Sequence, residues 1–323
     1  MQPPWEETFC MTSEPAALLA LLLTGGIGTV TAQRILALAR ARGKRVSELA
    51  ATPLERLAEW LPSGCENFAV PLRASRRHHA RARQLLDDIR RAGGKTFCSG
   101  EPGYPTLLTA HLREQAPVVV FCRGDMDLLR EPMGGVVGTR MPSARGLRLG
   151  RACTAELLDT GATVVSGGAD GIDTAAHSLA LEANGRTVVV LPQGLLTYRI
   201  PEPMQQAVDA GRALILSHFS PLAPWATHAA VTRNATIAAL SRLVCVIEPN
   251  RTGGSMRTGQ CGLEQGKPVF CVINARLPES GRLLIRAGAQ PLADDHDVLR
   301  KSALLSAWKS APAPRPAAQV ELF

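Results

Sequence analysis

The sequence predicts an α/β protein, a doubly wound and mostly parallel sheet preceded by a small helical domain. Three observations carry this expectation. From about residue 94 onward, short apolar runs rich in β-branched residues alternate with segments of helical period, the pattern of βαβ units. Those runs show little polar alternation, as expected of strands buried on both faces. Residues 13–75 instead read as helix, glycine turn, helix. A chain of 323 residues, 46% hydrophobic and 4% aromatic, can bury one α/β core and a small accessory domain, with Ala, Leu and Val as the main filling.

The elements follow in order. Residues 1–12 read as a flexible leader. Residues 13–75 form the helical domain: Pro15 to Leu23, the turn Thr24-Gly-Gly-Ile-Gly-Thr29, then Val30 to Ala41. This pattern resembles a helix-hairpin-helix (SAM-like) DNA-binding element, although a plain αα-hairpin with a glycine connector reads the same way. The α/β domain spans residues 76–307. A basic helical stretch over 73–91, with Arg73, Arg76, Arg77, Arg81, Arg83, Arg90 and Arg91, straddles its start. Strands are expected at 118–122, 134–138, 163–165, 187–191, 213–216, 243–247 and 269–273, and helices at 144–158, 173–183, 203–210, 234–241 and 255–265. Residues 308–323 form a flexible tail, Pro/Ala-rich over 310–318 and apolar again at Gln319-Val-Glu-Leu-Phe323.

Charge and cysteines narrow the function. Lys and Arg outnumber Asp and Glu by 36 to 28, a net charge of +8 that favours a polyanionic partner. The 8 cysteines include no C-x-x-C pair, which argues against a zinc ribbon or redox dithiol. No metal and no cofactor is expected. The apolar run Ala16–Leu23 falls short of the ~20 residues that span a bilayer and no basic leader precedes it, so the chain is expected to be cytoplasmic.

Three turns at strand ends concentrate the chemistry. They are Gly135-Val-Val-Gly138-Thr139-Arg140 with Ser143 and Gly146; Val165-Ser166-Gly167-Gly168-Ala-Asp-Gly171-Ile-Asp173-Thr-Ala-Ala-His177; and Glu248-Pro-Asn-Arg-Thr-Gly-Gly254-Ser255-Met-Arg-Thr258. Ligands of open parallel sheets bind at such carboxyl ends. Small residues let backbone N–H groups approach an anion, and Ser, Thr and Arg add donors. None of the three is a Walker-type G-x-x-x-x-G-K-[ST] loop, and none carries the dinucleotide fingerprint. The composition describes a phosphate-cradling rim.

These segments resemble the DprA/Smf family. Ser166 to His177 is similar to that family's S-G-x-A-x-G-I-D-x-x-A-H string, and Gly138-Thr-Arg140 with Ser143 and Gly146 to its G-x-R-x-x-S-x-x-G turn. Pro102 to Leu108, Ala116 to Phe121, and Ser280 to Leu299 resemble its entry and closing stretches, so the likeness covers roughly residues 95–302. The resemblance implies a Rossmann-like core that binds single-stranded DNA, protects it and loads the RecA recombinase as a homodimer, in recombination or natural transformation. It assigns Gly138, Thr139, Arg140, Ser143, Ser166, Gly167, Gly168, Gly171, Arg233, Asn234, Gly254, Ser255 and Thr258 to the strand, with Arg140 clamping a phosphate. Asp173 and His177 are read as bracing the loop, and no residue is assigned to catalysis. The chain departs from the family at Ala230-Val-Thr-Arg-Asn-Ala235, where F-P-x-R-N-R is usual: an aromatic and an arginine are gone. The tail resembles the bacterial sliding-clamp-binding motif, with Gln319, Leu322 and Phe323 as contacts. The alternatives from other classes are a LOG-type nucleoside-monophosphate phosphoribohydrolase, whose P-G-G-x-G-T-x-x-E signature Thr252 to Glu264 only loosely echoes, and a nucleotide-sensing module.

Overall fold

The computed structural model describes residues 13–53, 56–57, 61, 65–275, 278–293 and 298–311. One sheet organises them: β1 Lys95–Cys98, β2 Val119–Gly124, β3 Met133–Gly138, β4 Thr163–Ser166, β5 Thr187–Val190, β6 Ala213–Ser217, β7 Leu243–Ile247, β8 Val269–Val272 and β9 Gln290–Pro291. The spatial order is β1-β2-β6-β5-β4-β3-β7-β8-β9. From β6 through β9 neighbouring strands are parallel, while β1–β2 and β2–β6 pair antiparallel. The chain builds outward from β3 to β6, then returns to the other flank of β3 to lay down β7. The winding direction therefore reverses between β3 and β7, the place where an open α/β sheet leaves a crevice.

Strand periodicity divides the core. In β7, Leu243, Cys245 and Ile247 enter one apolar cluster while Val244 and Val246 enter another. On one face α6 (Thr106–Leu112), α10 (Thr227–Leu240), α11 (Gly254–Glu264) and α12 (Pro278–Arg286) pack Leu108, Ile237, Met256 and Leu284 against the sheet. On the other face, α7 (Ala144–Asp159), α8 (Ile172–Glu182) and α13 (Lys301–Ser310) cover β3, β4, β7 and β8.

The remaining part of that second face is covered by α1 (Glu14–Leu22), α2 (Thr29–Ala41), α3 (Val46–Ala51), α4 (Ala69–Ser75), α5 (His79–Arg91) and α9 (Glu202–Asp209). Leu18, Leu19, Leu85 and Ile89 share one core with Phe121, Val189 and Ile215 of the sheet. Each such side chain contributes about 1.5–3 kcal/mol by leaving water. Polar anchors fix the layer. The buried Glu14 carboxylate accepts from the amides of Val46 and Ser47, both at 3.0 Å, and so caps α3. Gln33 Nε2 donates to the Ala116 carbonyl at 2.7 Å, and Arg40 donates to Ser99 O. The glycine turn between α1 and α2 is exposed, with Gly26 at φ +81°. In the basic run, Arg76 binds the carbonyls of Ala50 and Thr52, and Arg90 and Arg91 pair with Asp87 and Asp88. Arg73, Arg81 and Arg83 are exposed.

Some elements differ from the sequence reading. Helix α10 starts at Thr227, not at 234, because Thr227, His228, Val231 and Thr232 in its first turns face solvent and show no apolar stripe. The short β1, α6 and β9 and the helices α12 and α13 have no counterpart among the expected elements. Helix α13 buries Leu304 and Trp308; Arg242 stacks over Trp308 at 5.2 Å and donates to the Ala311 carbonyl. The packed structure thus reaches Ala311, inside the segment expected to be linker. Residues 1–12 and the tail residues Gln319, Leu322 and Phe323 lie outside the described residues. Among the described residues no helix is long and apolar enough to cross a membrane, and the described cysteines are free thiols.

Candidate nucleic-acid interface

Strands β4, β3 and β7 are adjacent and parallel, so their three glycine-rich turns emerge side by side at one end of the sheet. Helices α7, α8, α10 and α11 all begin there.

The turn after β3 is tight. A Cβ on Gly138 would lie 2.6 Å from Ile247 O and from an Ile172 side-chain carbon. Thr139 is buried, its Oγ1 accepting from Met141 N at 3.3 Å. Arg140 is exposed, and its guanidinium stands 5.6 Å from the centroid of the Trp225 ring. Ser143 caps α7: its Oγ accepts from Gly146 N at 3.0 Å. The same Oγ donates to Glu248 Oε1 at 2.5 Å, and the Ser143 N–H donates to Oε2 at 2.8 Å. Glu248 is 1% exposed and sits just past β7 at φ +49°. A Cβ on Gly146 would collide with its carboxyl group. The anion position at the start of α7 is therefore filled by the protein's own carboxylate.

The turn after β4 is built around a second carboxylate. Asp173 Oδ1 accepts from Gly138 N at 3.3 Å and Oδ2 from Gly167 N at 3.2 Å, tying the ends of β3 and β4 together. Gly171, at φ +83°, lies against the Thr139–Arg140 backbone and admits no side chain; Gly168, at φ +70°, is exposed. Above Gly167 lies Arg233 of α10, whose guanidinium occupies the space a Cβ there would need. Arg233 is 5% exposed and donates Nη1 to the Val190 carbonyl at 2.6 Å. Burial pushes its pKa down to about 10, against the opposing pull of Asp173, and the charge of Arg140 lowers it further. Burial likewise raises the Asp173 carboxyl above the usual range, while Arg233 and the amides of Ala169, Gly138 and Gly167 pull it back. His177 bonds Thr187 Oγ1 through Nδ1 at 2.7 Å; burial and then Arg233 bring its pKa down to about 3. His218, bonded to Thr236 Oγ1 at 3.2 Å, is brought to about 4 by the same two causes. Both rings are neutral near pH 7 and too weakly basic for proton transfer there.

The third turn leads into α11. Gly254 is exposed, Ser255 is 9% exposed, and Thr258 Oγ1 donates to Gly254 O at 3.1 Å inside the helix. Arg257 pairs with Glu264 at 2.9 Å.

The structure thus brings the three turns together but corrects several assigned roles. Ser166 has no exposed surface and donates Oγ to Val136 O at 2.6 Å, stitching β4 to β3. Thr258 spends its hydroxyl on its own helix. Ser255, Arg233 and Asn234 are buried beneath the crevice and do not line its rim, because they occupy the sheet-facing sides of α10 and α11. Ser143 is exposed, but its hydroxyl is committed to Glu248. Of the arginines assigned to the strand, Arg140 is exposed and Arg233 is not. At the floor, Arg233 Nε and Asn234 Nδ2 are buried with no hydrogen-bond partner among the described residues. The sequence reading missed Glu248 as an internal anion and missed Trp225. The available signal for Trp225 was a tryptophan within Pro221-Leu-Ala-Pro-Trp225, in a chain with only 4 tryptophans. Among the described residues no group of three His, Cys, Asp or Glu could hold a metal ion.

The sequence profile of DNA recombination-mediator protein A matches residues 95–303. Protein Smf of Escherichia coli is 30% identical over 271 residues, 79% of this chain and 72% of that protein. DNA processing protein DprA of Bacillus subtilis is 35% identical over 224 residues, covering 68% of this chain and 74% of the relative. The crystal structure of DNA processing protein A from Streptococcus pneumoniae superposes with a TM-score of 0.68 at 28% identity, covering 88% of this chain and 96% of that one. A Helicobacter pylori DNA processing protein A, described for its single-stranded DNA binding mode, gives 0.54 at 24% identity over 66% of this chain and 96% of its own, a likeness of fold.

Proposed function

Because this chain belongs to the DNA recombination-mediator protein A family, we propose that the crevice at the β3–β7 switch point holds the sugar-phosphate chain of single-stranded DNA, and that the protein works by binding and not by catalysis. The observation that carries this reading is the pairing of two arginines, Arg140 at the rim and Arg233 at the floor, with the buried and unpartnered donors Arg233 Nε and Asn234 Nδ2. A buried polar group left unpaired costs about 1–3 kcal/mol. A phosphate drawn to Arg140 sits above these donors and in the field of the buried Arg233 charge, while phosphate contacts as such carry no base sequence. In this reading the bound strand is protected and passed to a RecA-type recombinase by a homodimer, and the tail at Gln319, Leu322 and Phe323 recruits a sliding clamp.

The test is fluorescence anisotropy of a labelled oligo-dT at two salt concentrations, with duplex DNA and AMP as competitors. Binding should weaken steeply with salt and resist both competitors. Arg140→Ala should lower affinity whatever the base sequence and reduce the log–log salt slope by about one; an unchanged isotherm rejects the crevice. Release of free base from AMP at enzyme-like rates would overturn the non-catalytic reading.

A further inference from the structure

Trp225 is 48% exposed, and Met141, next to Arg140 in sequence, is 86% exposed. Large apolar side chains this open, at the mouth of a polar crevice, ask for a partner. The Trp225 loop is held in place from below. Gly194 N donates to Ala223 O at 2.9 Å, Leu196 N to Pro221 O at 3.0 Å, and Thr197 Oγ1 to Ala223 O at 3.0 Å. On its other side the chain enters α10 at Thr227. The ring is thus carried on an anchored loop, with the Arg140 guanidinium 5.6 Å from its centroid. Such a cation–π contact steadies an indole in one orientation, and about half of its surface still faces solvent. The helix segment that begins at Ala230 carries no aromatic side chain, since Ala230-Val-Thr-Arg-Asn-Ala235 contains none.

We propose that Trp225, oriented by Arg140, is the platform on which a base of the bound strand stacks. This rests on the single-stranded DNA reading and adds to it. The arginine provides for the phosphate and the indole for the base, and a duplex, whose bases are stacked on one another, cannot use the indole. Preference for single strands then arises at the rim of the crevice, from one loop. Every base has a π-face, so the platform is indifferent to sequence.

The experiment compares an oligo-dT with an abasic oligomer of equal length, which keeps the phosphates and lacks the bases. Wild type should bind oligo-dT more tightly than the abasic strand. Trp225→Ala should lose about tenfold for oligo-dT, the scale of one stacked base, and nothing for the abasic strand. Trp225→Phe should recover most of the loss. Tryptophan emission should be quenched by oligo-dT in wild type and markedly less so in Trp225→Phe. Equal losses on both strands would mean that Trp225 only positions Arg140, and would overturn the platform. So would equal binding of the two strands by wild type, although the phosphate crevice would then stand. Binding of neither strand would reject the platform and the functional reading together.

Discussion

Two helix N-termini open onto the same end of the sheet, and the protein answers their positive ends differently. At α7 it inserts Glu248, which accepts from both the amide and the hydroxyl of Ser143, and the position is closed. At α8 it inserts Asp173 as well, but sets that carboxylate against the buried Arg233, with Arg140 close enough to be felt. The first arrangement ends as a filled anion site. The second ends as a buried carboxylate and a buried arginine that feel each other's charge, with a further arginine at the surface. Both grow from glycine-rich βα turns of similar composition. Such a turn marks where an anion can sit; whether the anion comes from solution or from the chain is decided by residues far away in sequence.

The comparison breaks most severely at Asp173. Asp173→Ala strands the amides of Gly138 and Gly167 and removes the charge that opposes buried Arg233, which together should cost about 3–5 kcal/mol, measurable by urea denaturation. A loss under about 1 kcal/mol would show that Arg233 does not depend on Asp173. Acid should reach the same region through its histidines. The folded pKa values of His177, about 3, and His218, about 4, lie below the ordinary value of 6.5. Below pH 6.5 the unfolded chain takes up protons that the folded one refuses, so stability should be full above about pH 6.5 and fall as the pH drops toward 4. At ~1.4 kcal/mol per pKa unit the loss is on the order of a few kcal/mol, partly offset by Asp173, whose raised carboxyl takes up its proton first in the folded state; stability that rose as the pH dropped over that range would contradict the buried neutral rings. The smallest effect is expected at the closed site. Glu248→Gln keeps much of the cap and costs about 1 kcal/mol, but it removes the resident charge. Oligo-dT affinity should rise roughly two- to fivefold, the worth of an anion at a helix N-terminus. No rise would place the start of α7 outside the path of the strand.

Much of the architecture was legible because it is written in local pattern. The apolar runs at 187–191, 213–216 and 243–247 are β5, β6 and β7 within a residue, since strands buried on both faces leave little other reading. The antiparallel edge was not legible: nothing in Lys95-Thr-Phe-Cys98 states which neighbour it joins or in which direction. The start of α10 was hidden because a helix turn that projects into solvent has no apolar period. At the site, the tightness of the glycine turns was legible, as at Gly138 and Gly171, but the amides of Gly138 and Gly167, read as donors to the strand, go to Asp173. The hydroxyls were misleading, since Ser166 and Thr258 satisfy main-chain carbonyls and not a ligand. Glu248 and Trp225 were not legible as parts of the site. Glu248 reaches Ser143 across 105 positions, and the ring that meets Arg140 lies in another loop altogether.

The margins of the sheet bear on how copies of this protein can gather. At one side β1 has four residues; at the other β9 has two, the second being Pro291. Strips this short, one of them interrupted by an imino acid, give an incoming strand little to zip onto. Molecules brought close together therefore gain little from cross-β fusion along these two margins.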